Sequence, residues 1–195
     1  MNKIFRNIGV LVATFSLAAC GGNGGGMKAE EFEEKAAALD RNHDYTGAKL
    51  DFSVEAKVNG QSSGQLTGTA TYEWAGDEFE VLENNLPSSY TSLAGVVTTY
   101  NIDNFMVAVS SLEQQGLEVG VTYGGSDKAL SAKINGTFKG DMSGVNYDMK
   151  ISLEIKWDEH GLVKSAVEVD DIKASYQGQS AKQWGKSVCT FTYTK

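Results

Sequence analysis

Gly60-Gln61-Ser62-Ser63-Gly64 has the G-x-S-x-G spacing that presents a nucleophilic serine on a sharp strand-to-helix turn, within reach of a histidine and a carboxylate. In this chain the motif falls between two alternating segments, where glycine and serine are simply turn residues. The two histidines, His43 and His160, each lie in a polar stretch without a ligand or base partner at a defined spacing, so both read as solvated surface. Asp40, Asn42, Asp44 and Asp51 stand at the first, third, fifth and twelfth positions of a calcium loop. Tyr45 occupies the place of its obligatory glycine, and a polar helix-to-strand connection is the plainer reading. Cys189 alternates in phase with Phe191 and Tyr193, as a buried apolar filler does, with no basic setting to activate it. These residues imply no catalytic set, metal or cofactor, and the chain reads as non-enzymatic.

Cys20 carries a more definite chemistry. Lys3 and Arg6 precede a largely apolar run of 12 residues, Ile8 to Ala19, too short for the roughly 20 residues of a membrane span. Leu17-Ala18-Ala19-Cys20 then resembles the bacterial lipobox, which implies cleavage before Cys20 and acyl chains on its thiol. Residues 1–19 are thus expected to be a signal peptide. Residues 20–27 are expected to be a lipidated cysteine and a flexible tether, Gly21-Gly22-Asn23-Gly24-Gly25-Gly26. The expected location is the outer face of a membrane, with lipid as the anchor.

Cleavage leaves 176 of the 195 residues, enough for one domain, 28–195, and too few for two. It also removes two cations, so the mature net charge becomes −10, with Arg41 as the remaining arginine. That balance speaks against nucleic acid, which needs clustered cations, and against lying flat on anionic lipid. The expected partner is the membrane, through Cys20, and the domain is expected to be a monomer. With Cys20 acylated, Cys189 has no partner for a disulfide, and the fold must be held by its core.

Periodicity supplies that core. Ala29, Phe32, Ala36 and Leu39 mark one face of a short helix whose first turns are rich in glutamate. From Leu50 onward the period becomes two. Leu50 to Val58, Leu66 to Trp74 and Phe79 to Val81 read as a meander opened by Asn59-Gly60. Leu117 to Tyr123 (ending at Gly124-Gly125), Leu130 to Phe138 (ending at Gly140-Asp141) and Val145 to Trp157 follow. A strand from Val163 changes phase near Asp170-Asp171, which suggests a bulge, and a last strand ends at Tyr193. Between them Ile102, Phe105, Met106, Val109 and Leu112 have helical spacing, with Gly116 past the end, and helix is the favoured reading, although Phe105 to Val109 also fits a short strand. The predicted fold is mainly β (α+β): one long, curved antiparallel sheet of about eight or more strands, with an N-terminal helix and a second, central helix packed on it.

The aromatics Tyr72, Trp74, Phe138, Tyr147, Trp157, Tyr176 and Trp184 lie mostly on the face taken as buried, together with the small residues Gly68, Ala70, Ala132 and Gly136. Lack of bulk there is room either for a helix or for a ligand. The lipobox, glycine tether, short helix and consecutive strands, with the strand–turn–strand Ile155 to Lys164, resemble the lipoprotein-carrier superfamily of the LolA and LolB carriers and the mycobacterial LppX and LprG. The resemblance covers Met27 to Lys195. It implies a half-barrel with helices in its concave side, binding lipid or acyl chains there, with no catalytic motif to carry over. LolA itself is soluble, whereas this chain is expected to be anchored. On this reading Gly68, Ala70, Tyr72, Trp74, Gly136, Phe138, Tyr147 and Trp157 are the candidate ligand-lining residues. The alternative is a structural or adhesive lipoprotein with a solid core.

Overall fold

The computed structural model describes residues 26–114, 120–142 and 144–195, so the expected signal peptide, Cys20 and most of the tether lie outside the described residues. Helix α1 (Ala29–Ala37) is followed by strands β1 (Gly47–Val58), β2 (Gln61–Ala75) and β3 (Glu78–Asn84). A 3-10 turn (Thr91–Gly95) and helices α2 (Val96–Thr99) and α3 (Ile102–Gln114) come next. Strands β4 (Gly120–Ser126), β5 (Ala129–Met142), β6 (Val145–Trp157), β7 (Val163–Tyr176) and β8 (Gln179–Thr194) complete the chain. The strands form one antiparallel sheet in the order β3-β2-β1-β8-β7-β6-β5-β4. Met27, at the end of the expected tether, adds an isolated bridge to Tyr123.

Local rules explain the hairpins. Asn59 and Gly60 both have positive φ, 50° and 82°, the two-residue turn whose twist matches that of antiparallel strands. The β1–β8 ladder is not local: it joins the first and last strands from Gly47↔Thr194 to Val58↔Gln183. That ladder leaves β3 and β4 at opposite edges, so the connection between them must cross the sheet. It does so as α2 and α3, which lie on one face, called the inner face below.

Three details differ from the alternation in the sequence. β4 continues through Gly124 and Gly125 to Ser126, and β5 through Gly140 to Met142, so these glycines lie within strands. Leu117 and Val119, expected to open β4, lie outside the described residues. β7 has no bulge at Asp170-Asp171: it stays in register with β8 from Ser165↔Thr190 to Tyr176↔Gln179, and its one shift against β6 is beside Trp157. Val167 and Val169 therefore face outward, and Glu168 and Asp170 face inward.

The core is a single cluster that reaches from Phe79 on one edge strand to Tyr123 on the other, as a sheet wrapped around its helices requires. Phe32 of α1, fully buried, lies tilted against Tyr123 (ring centres 4.5 Å apart) and Trp157 (5.9 Å); burying such a ring stabilises by roughly 1.5–3 kcal/mol. Ile102, Phe105 and Val109 bring α3 into the same cluster, as their helical spacing predicts. Arg41 joins the two helices. Its guanidinium donates to Ala36 O (2.9 Å) at the end of α1 and to both carboxylate oxygens of Asp103 (3.0 and 2.7 Å) in the first turn of α3. Gly161 lets the β6–β7 turn pass close by: its φ is +78°, and a Cβ there would sit 2.5 Å from Ile102 Cγ2.

Candidate functional site: the inner face of the sheet

Cross-strand partners point to the same side of a sheet, so the register defines the inner face row by row. One row runs Gly68–Phe52–Cys189–Ala166–Ile155–Ala132, and all but Gly68 are buried. The helical connection fills this upper half. Trp157 Nε1–H donates to Tyr100 O (2.7 Å) and Tyr72 O–H to Ala94 O (2.9 Å), which satisfies the polar tips of two buried rings with backbone of the cover itself. At Gly68 the missing side chain makes room for the chain: a Cβ would lie 2.8 Å from Pro87 Cδ and 2.9 Å from Asn85 O.

The candidate lining residues thus divide in two. Gly68, Ala70, Tyr72, Trp74 and Trp157 belong to the packed upper half, where Ala70 is fully buried and Trp74 lies edge-on to His43 (4.4 Å) and Phe79 (4.8 Å). Gly136 and Tyr147 belong to the lower half, as does the backbone position of Phe138, paired with Met149; the Phe138 side chain lies outside the described part. Trp184 is on the outer face, where Lys57 Nζ lies 5.1 Å from its ring centre.

Cover thins in the lower half. The row Ala56–Gly185–Asp170–Ile151–Gly136 is followed by Val58–Gln183–Ile172–Met149 and then by Ala181–Ala174–Tyr147. Apart from Asp170 and Gln183 these positions are small or apolar, and most are half-buried. Leu66, Val58 and Tyr176, on the same face, are 53 %, 38 % and 49 % exposed. Large apolar side chains left this open on the inside of a sheet are unusual for a finished core.

Glu168 and Asp170 stand where the two halves meet. Their carboxyl groups are hydrogen-bonded to each other, and among the described residues neither has an ion-pair partner. Burial first, then the Asp170 charge and the shared hydrogen bond, raise Glu168 to about 7. Burial raises Asp170 to about 6, against the hydrogen bond it receives from Glu168. Both carboxyls are thus held above the ordinary carboxylate range, chiefly by burial. Asp170 Oδ1 is buried without a hydrogen-bond partner. Tyr90 and Tyr100 of the helical connection and Cys189 of β8 feel this charge: each is raised by burial first and then by nearby acid, Glu168 in all three and Asp170 also at Tyr90. A signal for this pair is present in the sequence, since Ala166, Ile172, Ala174 and Tyr176 share its phase.

The remaining candidates resolve individually. His43 and His160 are not separate solvated residues; their rings lie 5.8 Å apart over Tyr45 and Trp74, closing the upper end of the sheet. Tyr45 N–H donates to His43 Nδ1 (3.3 Å), and His160 Nδ1 lies 2.8 Å from Asp40 O. Burial, then the charge of His160, lowers His43. Among the described residues no three metal-type side chains converge. Asp44 and Asp51 of the calcium-like spacing are paired with Lys195 (2.8 Å) and Lys49 (2.7 Å), and Asp40 Oδ1 accepts from Asn42 N–H (3.0 Å). Ser62 and Ser63 open β2, and Ser63 O–H donates to Ala56 O (2.9 Å), which is turn chemistry. Cys189 is buried on the inner face with Phe191, and burial pushes its thiol up to about 12.

No known protein family matches the chain. No characterised protein matches it in sequence either.

Proposed function

We propose that this protein is a membrane-tethered, extracytoplasmic lipoprotein that binds a lipid or other apolar ligand, without catalysis, along the lower half of its inner face. The carrying observation is the run of half-exposed apolar and small residues from Ala56 and Gly185 to Tyr147, beyond the part the helices fill. A shallow apolar floor of low bulk accepts an acyl chain because every methylene removed from water contributes about 0.8 kcal/mol. The anchor rests on Leu17-Ala18-Ala19-Cys20. A structural lipoprotein with a solid core is the second reading, and the close packing around Trp157 and Tyr72 favours it.

Native mass spectrometry of the protein purified from cells tests the binding reading, together with uptake of a fluorescent fatty acid. Co-purified lipid and saturable uptake are expected. Gly185→Leu is expected to reduce uptake while leaving the melting temperature unchanged, because a Cβ there meets only ordinary contacts, 3.8 Å from Asp170 Oδ2. Absence of both lipid and uptake would leave the structural reading. For the anchor, Cys20→Ser is expected to abolish acyl labelling; labelling that persists overturns it.

A further inference from the structure

We propose that the lower rim of the sheet carries a second, polar site that holds a phosphate borne on a polyol, through Lys173, Lys182 and Asp148. The strand ends there flank an open hollow of about 570 Å3, lined also by Asn59, Asn146 and Tyr147; its size is that of small-molecule sites.

Lys173 and Lys182 are direct cross-strand partners on β7 and β8. Like charges placed opposite one another destabilise a sheet unless an anion lies between them. Among the described residues neither ammonium joins an ion pair, although the chain as a whole is strongly acidic. Asn59 is pinned beside them: its N–H donates to Lys182 O (2.8 Å) and its Oδ1 accepts Lys182 N–H (2.8 Å), which keeps its NH2 group at the hollow.

Asp148 selects among anions. It continues the same row, paired with Lys173; its Oδ2 lies 4.0 Å from Lys139 Nζ, and its Oδ1 is buried without a hydrogen-bond partner. A bare anion between the lysines is repelled by that carboxylate. A ligand with a hydroxyl next to its phosphate meets both demands, with phosphate oxygens accepting from the lysines and the hydroxyl donating to the exposed Oδ2 side of the Asp148 carboxylate. The glycerophosphate headgroup of an anionic lipid and a free polyol phosphate share this chemistry.

The full-length protein in nonionic detergent is titrated calorimetrically with glycerol 1-phosphate, with inorganic phosphate, and with phosphatidylglycerol or phosphatidylcholine in mixed micelles. Saturable binding of glycerol 1-phosphate or of phosphatidylglycerol is expected, tighter than inorganic phosphate and phosphatidylcholine respectively. Response to the free ester identifies a soluble ligand, and response only in micelles identifies a lipid headgroup. Lys173→Gln with Lys182→Gln weakens binding at least about tenfold. The control Lys133→Gln with Lys186→Gln, with the same charge change on the same outer face, leaves it unchanged. Asp148→Ala removes the preference over the competitor lacking a hydroxyl. These side chains are exposed or half-exposed, and circular dichroism checks that each variant folds. No binding of either probe by about 10 mM, equal loss in the control, or a preference that survives Asp148→Ala overturns the site. None of those results bears on the apolar floor, whose test is separate.

Discussion

Glu168 and Asp170 point to the same side of β7, and the Asp170 charge adds to the burial that raises Glu168. Burial raises both above the carboxyl values of an unfolded chain, 4.5 and 3.8. The folded state therefore binds more protons than the unfolded state between about pH 4 and pH 7. The stability they contribute is complete below that window and is lost as pH rises through the folded values. His43 acts with the opposite sign, because burial lowers it and the unfolded chain takes up its proton first as pH falls. Glu168→Gln separates the two: it keeps a donor for Asp170 but does not titrate. The expected result is that the variant gains about 1–3 kcal/mol relative to the parent between pH 5 and pH 8, read from denaturant unfolding at each pH. A constant difference across that range would mean that Glu168 is not raised by folding.

Cys189 is expected to resist a small thiol reagent in the folded protein and to react at once in denaturant. Its thiol is buried and pushed up to about 12 by that burial and then by Glu168, so almost no thiolate forms near neutral pH. Cys189→Ser is expected to destabilise by roughly 1–3 kcal/mol, measured by urea unfolding, because the hydroxyl has no partner provided. Fast modification of the native protein would contradict the assigned face of β8.

Leu153 and Ser152 make a phase test of β6. Leu153 is 8 % exposed on the inner face, whereas Ser152 is outward and half-buried. Leu153→Asp is expected to prevent stable folding, since it adds an unpaired carboxylate beside Glu168, its cross-strand partner. Ser152→Asp is expected to change stability by no more than about 0.5 kcal/mol. Thermal melts of the two variants decide it, and equal damage would mean that both faces are covered.

Gly68 and Ala70 test how solid the upper half is. Gly68→Ala places a Cβ against the Asn85–Pro87 backbone, and Ala70→Phe forces a ring into a site with no exposed surface. Each is expected to destabilise by about 1–3 kcal/mol, as overpacking does. If Ala70→Phe leaves the melting temperature unchanged, the upper half holds a cavity and the ligand region extends into it.

Much of the architecture is local and was therefore readable from the residues. Alternation from Leu50 to Val58 and from Val145 to Trp157 specifies strands with one wet face, Asn59-Gly60 specifies its turn, and the spacing of Ile102, Phe105 and Val109 specifies α3. Leu17-Ala18-Ala19-Cys20 likewise marks the expected anchor without reference to any fold. Three matters are not local. The β1–β8 ladder pairs segments at opposite ends of the chain, and hydrophobic period does not say which strand lies beside which. That ladder decides where the crossing helices lie, and so which of the small residues is filled: Gly68 receives Pro87, while Gly185 and Gly136 stay in the thinly covered half. His43 and His160, 117 positions apart, meet only because the turn after β6 comes up against the segment before β1. The inward pair is hidden from the sequence for a related reason. Acids in a strand ordinarily face water, so the phase change at Asp170 suggests a bulge; carboxyls whose burial favours the neutral form can face inward, and that burial exists only once the tertiary structure has placed both beneath the same cover.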